Sequence, residues 1–550
     1  MRARRTNSIT PDGKSAQGLS SVVYPSHPPL NFSGTLSSGV SLQADIGFNI
    51  GFAALVSLDY GSAPAASPPV SSDRPILEGA IAANSSYGAS STALNVAAAV
   101  TEYASATGGV LNGTGLKIGI LSDSFNVNGG EAAAIAGGYL PAANMIDIVK
   151  EGPAGSTDEG MAMAELIHAV APGAQIYFYT AFDSEADFAN GITTLASLGC
   201  NVIVDDVAYS DEPFYQNTGT ITQAIEKAVA SGVNYFTAAG NGSNNFYEQA
   251  FTPIAGGFNL PGIGTEVTDN VSGGSPYEAV SLGTGAYLDF TLQWTQPFGA
   301  NAYDLGVGLY RYNSFTHSYT LVDNFTTGGP TTDPILSMQT TEFVSAGTYY
   351  LAFYETNGAP ITPGEFKLIF FQDSNATITG VGAGVGSGAV FGHELAVGAN
   401  AVAAVGVTNT PSQGVSPPVV ESFSDYGPGK TYINAGGTIL TTPVVDNSPV
   451  FAAPDGSATT IFNLNPFDGT SAAAPNAAAV SLLMLQADGR LQTKQVTYLL
   501  ERSAIPTAST LNGGAGLIQA NAAVAGAITA SSTPIWTAQG GSDLWSLAAN

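Results

Sequence analysis

Between Leu116 and Thr237 the apolar positions switch repeatedly between two periods. Leu116-Lys-Ile-Gly-Ile-Leu121 is a short, β-prone run introduced by Gly113-Thr-Gly115, which predicts a strand after a tight turn. Glu159–Val170 spaces its apolar residues helically, with Thr157 and Asp158 placed to cap its start. The pattern then predicts a strand at Gln175–Thr180, a helix at Ala186–Leu198, a strand at Asn201–Val204, a helix at Ile221–Ala230 and a strand at Asn234–Thr237. Strands alternating with helices of this length predict an α/β fold built on a doubly wound parallel sheet.

Near residue 246 the helical period disappears. From Phe251 to Gln372 short alternating runs are separated by Gly, Asn and Pro turns: Tyr287–Trp294, Leu305–Tyr312, Tyr349–Tyr354 and Phe366–Phe371. Such a series predicts an antiparallel β-sandwich inserted into the α/β domain. The mixed pattern resumes at Leu395–Val407 and ends in a strongly helical stretch, Thr470–Leu485, and a Gly/Ala-rich close at Gly513–Ala527. The expected domains are therefore a leader or propeptide remnant (1–78), the first part of the α/β domain (79–245), the sandwich (246–385), the second part (386–528) and a tail (529–550). Residues 1–78 are rich in Ser, Pro and Gly and show no sustained period. Within them Ile46–Leu58 is the most apolar run, but it is broken by Asn49 and too short to span a membrane, so burial is expected. The basic start, Met1-Arg-Ala-Arg-Arg5, is not followed by an apolar core and does not read as a signal peptide.

Composition narrows the picture. Of 550 residues, 44% are hydrophobic, which excludes a wholly disordered chain. The formal net charge is −28, which sets nucleic acid and anionic membrane surfaces aside as partners. Only 10% of residues are charged, so hydroxyls and amides must solvate much of the surface, as in exported bacterial proteins. Cys200 is the one cysteine, so neither an intrachain disulfide nor a cysteine metal cluster can form. The four histidines, His27, His168, His317 and His393, lie far apart and offer no metal-binding pair.

Asp468-Gly-Thr-Ser471-Ala-Ala-Ala-Pro475 is the sharpest chemical signal. A serine at a helix N-terminus has backbone N–H groups aimed beside its hydroxyl, ready to hold an oxyanion, and Gly469 permits close approach of a substrate. In a chain rich in Gly, Thr, Ser and Ala, the same run also serves as a plain helix start. The run is similar to the nucleophile motif of the subtilases, the subtilisin-like serine peptidases, and further blocks follow in that family's order. Gly113–Ser124 resembles the strand ending in the triad aspartate, here Asp123. Ala171-Pro-Gly-Ala174 resembles the segment after the triad helix, and Ala238-Ala-Gly-Asn241-Gly242 the block whose Asn completes the oxyanion hole. Ser422–Pro428 and Gly514–Ile518 resemble later landmarks. The resemblance covers about residues 80–245 and 386–528 and implies a subtilisin-like fold.

The family's His-Gly-Thr-His block is missing. Asp158-Glu159-Gly160-Met-Ala-Met163 stands in its place, and matching the glycine puts Glu159 where the general base belongs. His168, nine residues on, lies about half a turn out of phase and is expected to face away as a structural histidine. A serine with a glutamate base resembles the sedolisins, acid-acting peptidases of the same fold. Their aspartate four residues on is Met163 here, and Asn241 keeps the subtilase residue. The chain therefore reads as a hybrid. A carboxylate can take the Ser471 proton when it is ionised and within reach, and Asp123 beside it would share a proton and raise one titration step. Activity is then expected at acid pH.

Asp206 falls where the resemblance puts a substrate-lining serine, beside the nucleophile. An accessory role with Glu159, a contact to the peptide backbone and a plain strand-end carboxylate all remain open for it. Asp211-Glu-Pro213 is expected to shape a cleft-side loop. The inserted strands resemble bacterial pre-peptidase C-terminal domains through Phe290–Phe298, Asp304-Leu305 and Gly347–Tyr350, which implies adhesion, substrate presentation or structural support. The tail Ile535–Asn550 looks like the opening of a Trp-bearing surface repeat, suggesting continuation into a cell-surface or autotransported protein.

The expectation is a secreted or surface-attached serine endopeptidase acting on proteins or peptides, without membrane insertion. Ser471 is the nucleophile, Glu159 the base, Asp123 its partner and Asn241 an oxyanion donor. No cofactor is expected; the fold admits structural calcium, but no ligand cluster stands out. The alternatives are an inactive surface-binding protein working through its sandwich, and an adhesin passenger that uses the peptidase only for self-cleavage.

Overall fold

The computed structural model describes residues 87–243, 245–283, 288–339, 345–357, 364–371, 376–379 and 388–532. Short strands at Asn7–Ile9, Ser15–Gln17, Phe32–Thr35, Ser41–Ala44 and Pro75–Leu77 are described as well. The other expectations for residues 1–78, the Ile46–Leu58 run among them, and those for 533–550 lie outside the described residues. Met1–Ala65 forms one unit, in which Asn7–Ile9 pairs with Ser15–Gln17 and Phe32–Thr35 with Ser41–Ala44, both antiparallel. Ala66–Asn550 forms the other.

The larger unit is built on a seven-stranded sheet in which every neighbouring pair is parallel. Its order is Phe451–Asp455, Ala399–Gly406, Asn234–Ala238, Val202–Asp205, Lys117–Ser122, Gln175–Thr180, Ile146–Lys150. Both faces are covered, as parallel sheets require. Glu185–Ser197 and Thr220–Ala230 pack on one face through Phe188, Ile192, Leu195, Ile221 and Ile225. The other face carries Glu159–Val170, Thr470–Ala487 and Ala520–Ser532, with Met161, Leu166, Leu482 and Val524 in one continuous core. This is the α/β, doubly wound architecture expected from the alternating periods, and the subtilisin-like fold that the motif resemblance implied.

Thr470–Ala487 is buried along nearly its whole length, and its alanines let it lie close beneath the strands. Pro475 is its sixth residue. It removes the N–H that would otherwise bond the Ser471 carbonyl.

Two edge strands, Ile146–Lys150 and Phe451–Asp455, escaped the periodicity. The second reads Phe-Ala-Ala-Pro-Asp, weak in β-formers, and Pro454 is tolerated because the strand is an edge.

The described residues between 246 and 378 form two larger antiparallel sheets and a two-stranded one, Phe258–Leu260 with Gly264–Glu266. Phe246–Ala250, Glu365–Phe370, Asp289–Trp294 and Ile335–Gln339 make a four-stranded sheet in that order. Ser318–Phe325, Leu305–Asn313, Gly347–Glu355, Tyr277–Leu282 and Ala376–Ile378 make a five-stranded one. The two larger sheets share an apolar core in which Tyr247 stacks on Phe353 with ring centroids 5.1 Å apart. This module is joined to the parallel-sheet part by buried polar contacts. Gln293 accepts from the Phe214 N–H (2.8 Å) and donates to the Glu212 carbonyl (2.7 Å). Lys367, fully buried, donates to the Gly388 carbonyl at 2.8 Å and lies 3.8 Å from Glu248.

Candidate active site

Three neighbouring strands end side by side, and each delivers a polar residue just past its end. Lys117–Ser122 leads to Asp123, Val202–Asp205 to Asp206, and Asn234–Ala238 to Asn241. Two helices begin at this same rim, one with Glu159 as its first residue and the other with Ser471 as its second.

Asp123 organises the first helix start. One carboxylate oxygen accepts from the backbone N–H of Glu159 (3.0 Å) and of Ser124, and the other from the Thr157 N–H and the Thr157 hydroxyl (2.7 Å). Asp123 is buried, and burial raises its carboxyl above the usual range while the bonds from Thr157, Glu159 and Ser124 pull the other way. The cap therefore comes from the strand rather than from the residues expected to supply it. Asp158 occupies the N-cap position with φ +63°, but its side chain makes no cap bond. It turns instead to the 124–128 loop, accepting from the Ser124 hydroxyl and the Val127 and Asn128 N–H groups, each at 2.8 Å. Thr157 contributes by holding Asp123.

Gly160 is needed here. Its N–H donates to the Ser124 carbonyl at 3.0 Å, and a Cβ would lie 2.4 Å from the Phe178 ring. Glu159 itself is only 2% exposed. Met163, one turn along, packs in the core, and His168 further on is half-buried with its basicity lowered by burial.

The second helix start is tied to Asn241. The amide oxygen of Asn241 accepts from the Thr470 N–H and the Thr470 hydroxyl, both at 3.0 Å, and the same hydroxyl accepts from the Gly240 N–H at 3.2 Å. These bonds decide which end of the Asn241 amide can donate: the Nδ2 end, away from Thr470. The Gly469 N–H is held by Asp455 at 2.9 Å, and Gly469 has φ +101°, a conformation that favours glycine. The Ser471 N–H lies in the first turn, where N–H groups have no partner inside the helix.

Asp206, just past the end of the strand between those that lead to Asp123 and Asn241, is fully buried. Burial, then the charge of Glu159, raises its carboxyl well above the usual range; Asp123 and Asp205 add to the shift and the Ser122 hydroxyl opposes it.

Asp205, on the same strand, joins a group that short-range patterns could not reveal. His393 lies between two carboxylates, with Nε2 3.2 Å from Asp205 and Nδ1 2.8 Å from Glu212, and all three are buried. Asp205 also accepts from Thr237 at 2.8 Å. Burial opposes the imidazolium, but the two carboxylates prevail and push its basicity well above the usual range. Glu212 comes from the segment expected to shape a cleft-side loop. His393 stands 188 residues from Asp205, so only the folded sheet brings them together.

Among the described residues, no group of three or more His, Cys, Asp and Glu side chains is arranged to hold a metal ion. Among them also, no helix is long and apolar enough to cross a membrane.

A parallel sheet whose rim carries a serine in the first turn of a buried central helix, with a side-chain amide bonded to that turn, has the parts of a serine hydrolase. Comparison with known proteins makes the class specific. The subtilase family model matches residues 132–527, well over half the chain, and the chain belongs to that family of serine proteases. Among solved structures it is similar to a lanthipeptide protease (12% identity, 80% of this chain and 99% of the other, TM-score 0.36). It is also similar to the MycP3 protease of the type VII (ESX-3) secretion system (14%, 85% and 99%, TM-score 0.35). Fervidolysin from Fervidobacterium pennivorans, a keratinolytic enzyme related to subtilisin, matches at 13%, covering 76% and 43%, TM-score 0.29. No curated protein matches the chain.

Proposed function

We propose that this subtilase is an exported endopeptidase that uses Ser471 as nucleophile and Glu159, in place of a histidine, as general base. The observation that carries the reading is the fixing of Glu159: its own N–H is bonded to Asp123, so the first residue of the helix cannot shift without breaking the strand-end cap. In the proposed reaction Glu159 takes the Ser471 proton as Oγ attacks the peptide carbonyl carbon. The oxyanion that forms is held by the Ser471 N–H and Asn241 Nδ2. Collapse of the tetrahedral intermediate breaks the C–N bond, and Glu159 passes its proton to the leaving amine. Water then hydrolyses the acyl-enzyme, with Glu159 again accepting the proton. Because the base must be ionised, and a carboxylate ionises in the acid range, activity reaches down into acid pH, where a histidine base would be protonated.

Peptide substrates are supported by a second observation. Directly after Asp206, the backbone of Val207–Tyr209 pairs antiparallel with Pro75–Leu77 from the chain's own N-terminal region. An extended segment on this strand occupies the position proposed for an extended substrate, and Pro75–Leu77 is then a piece of the chain that fills this position until it is displaced or removed. A two-sheet module gripping the 212–216 segment next to that strand would help shape the cleft.

The test is a serine-directed phosphonate probe across the acid and neutral range. Labelling of wild type, its loss in Ser471→Ala and its loss in Glu159→Gln are expected. Equal labelling in Glu159→Gln removes Glu159 from the base role. No labelling of the folded, processed chain at any pH favours a binding protein on a peptidase scaffold.

A further inference from the structure

Asp206 is an unusual residue to find where it is. It is fully buried at the end of the strand between those leading to Asp123 and Asn241, and among the described residues neither carboxyl oxygen has a hydrogen-bond partner of normal geometry. The Ser122 hydroxyl beside it likewise lacks any other partner. An isolated buried carboxylate is too costly to persist; such a group is paired with a cation or holds a proton. Glu159 from the helix, Asp123 from the adjoining strand and Asp205 next to it in the chain all act on Asp206, and all three are carboxyls. The imidazolium of His393 is engaged by Asp205 and Glu212, and Thr237 of the other adjoining strand also turns to Asp205. Burial and these neighbouring carboxyls disfavour two ionised groups at Glu159 and Asp206 together.

We propose that Asp206 is the positioning residue of the catalytic base: Asp206 and Glu159 share one proton, and the pair rather than Glu159 alone defines the working state of the enzyme. The inference rests on the reading of Glu159 as base. In the resting state the pair holds one proton and one negative charge, with Asp206 donating to the Glu159 carboxylate. When Ser471 Oγ bonds to the substrate carbonyl carbon, its proton passes to Glu159. The pair then holds two protons and no charge, and the negative charge sits on the oxyanion. Returning a proton to the leaving amine restores the one-proton state. The transition state therefore never places two negative charges in the buried rim. Once the pair loses its last proton at higher pH, that advantage is gone and activity falls.

Asp206→Asn and Asp206→Glu test this in the full-length chain, with Glu159→Gln as reference. The readouts are phosphonate labelling rate and kcat/KM on a fluorogenic peptide, followed from acid to neutral pH. Asp206→Asn cannot ionise, so its alkaline limb is expected to move up by at least one pH unit, about a tenfold gain relative to the wild-type curve on that limb. Asp206→Glu should restore a wild-type-like limb. A profile for Asp206→Asn that overlays wild type in shape, lower only in height, overturns the proposal while leaving the Glu159 reading intact. Equal labelling by Glu159→Gln overturns the Glu159 reading. A second measurement does not depend on turnover. In the Ser471→Ala background, the infrared difference spectrum near neutral pH should show a protonated carboxyl stretch that disappears with Asp206→Asn. Absence of that difference in folded protein also overturns the proposal.

Discussion

His393→Ala is the most informative perturbation of the scaffold behind the site. Its imidazolium lies 3.2 Å from Asp205 and 2.8 Å from Glu212, and none of the three side chains is more than 2% exposed. Removing one member of a buried ionic group strands the others, which costs about 3–5 kcal/mol. At 1.4 kcal/mol per factor of ten, the unfolding equilibrium should shift by two to nearly four powers of ten, roughly. The sign with pH follows from the raised basicity of His393. Its contribution is complete below the ordinary imidazole range, near pH ~6.5, and is lost as pH rises through the higher folded value. Guanidinium unfolding followed by circular dichroism, in a Ser471→Ala background, measures the loss at pH 6. The same experiment on His393→Ala/Glu212→Gln should recover part of it, because one stranded charge is gone. Within about 1 kcal/mol of wild type for the single variant, or no recovery in the double, the claim that this imidazolium neutralises Asp205 and Glu212 is wrong.

Gly160→Ala would put a methyl 2.4 Å from Phe178 and 2.8 Å from the Ser124 carbonyl, costing about 1–3 kcal/mol and displacing Glu159, so phosphonate labelling should fall more than thermal stability. Lys367→Met should destabilise by the lower end of ~3–5 kcal/mol, since Lys430 at 3.4 Å still faces Glu248; unchanged chemical denaturation would deny the junction its ionic role. A synthetic peptide spanning residues 72–80 should slow labelling of Ser471 competitively where a scrambled peptide does not, and equal effects would remove Pro75–Leu77 from the substrate position.

The sheet was legible in the sequence because each strand and each helix declares its own period over its own few residues, as Leu116–Leu121 and Glu159–Val170 do. Its edges were not, since Phe451–Asp455 takes its strand conformation from the neighbour Ala399–Gly406 rather than from its own residues. Short motifs also pointed to Ser471, Asn241, Asp123 and Asp206, which the strand ends and helix starts gather at one rim. What no local pattern could carry was the second layer. Thr157 reads as a helix cap until the folded chain places its hydroxyl on Asp123 at 2.7 Å. His393 looked solitary because Asp205 and Glu212 reach it only across the sheet. Lys367 and Glu248 lie on adjacent strands of a module whose sequence advertised only alternation.

The carboxyls themselves argue for a protein that is most stable in acid. Asp269, fully buried, is raised from 3.8 to about 6, chiefly by burial, and Asp468, beside the nucleophile turn, is raised to about 6 by burial and by Glu421. Asp123, Asp206, Asp455 and Glu165 shift in the same direction. For each, the unfolded chain gives up its proton near pH ~4 while the native chain keeps it, so the native state binds more protons and loses stability as pH rises through that window. Asp269 alone accounts for about 3 kcal/mol between pH ~4 and the completion of its folded titration above pH ~6. Asp488, lowered by Arg490, works the other way, but it is one group with an exposed partner against several buried carboxyls. Denaturation midpoints of Ser471→Ala should therefore fall steadily from about pH 4 to 7, and His393 extends the fall above that range. A midpoint that holds level or rises would mean these carboxyls are ionised in the native state. The proton sharing assigned to Asp206 and Glu159 would then lose its physical basis, because the burial that holds a proton on Asp206 is the same burial that makes the fold favour acid.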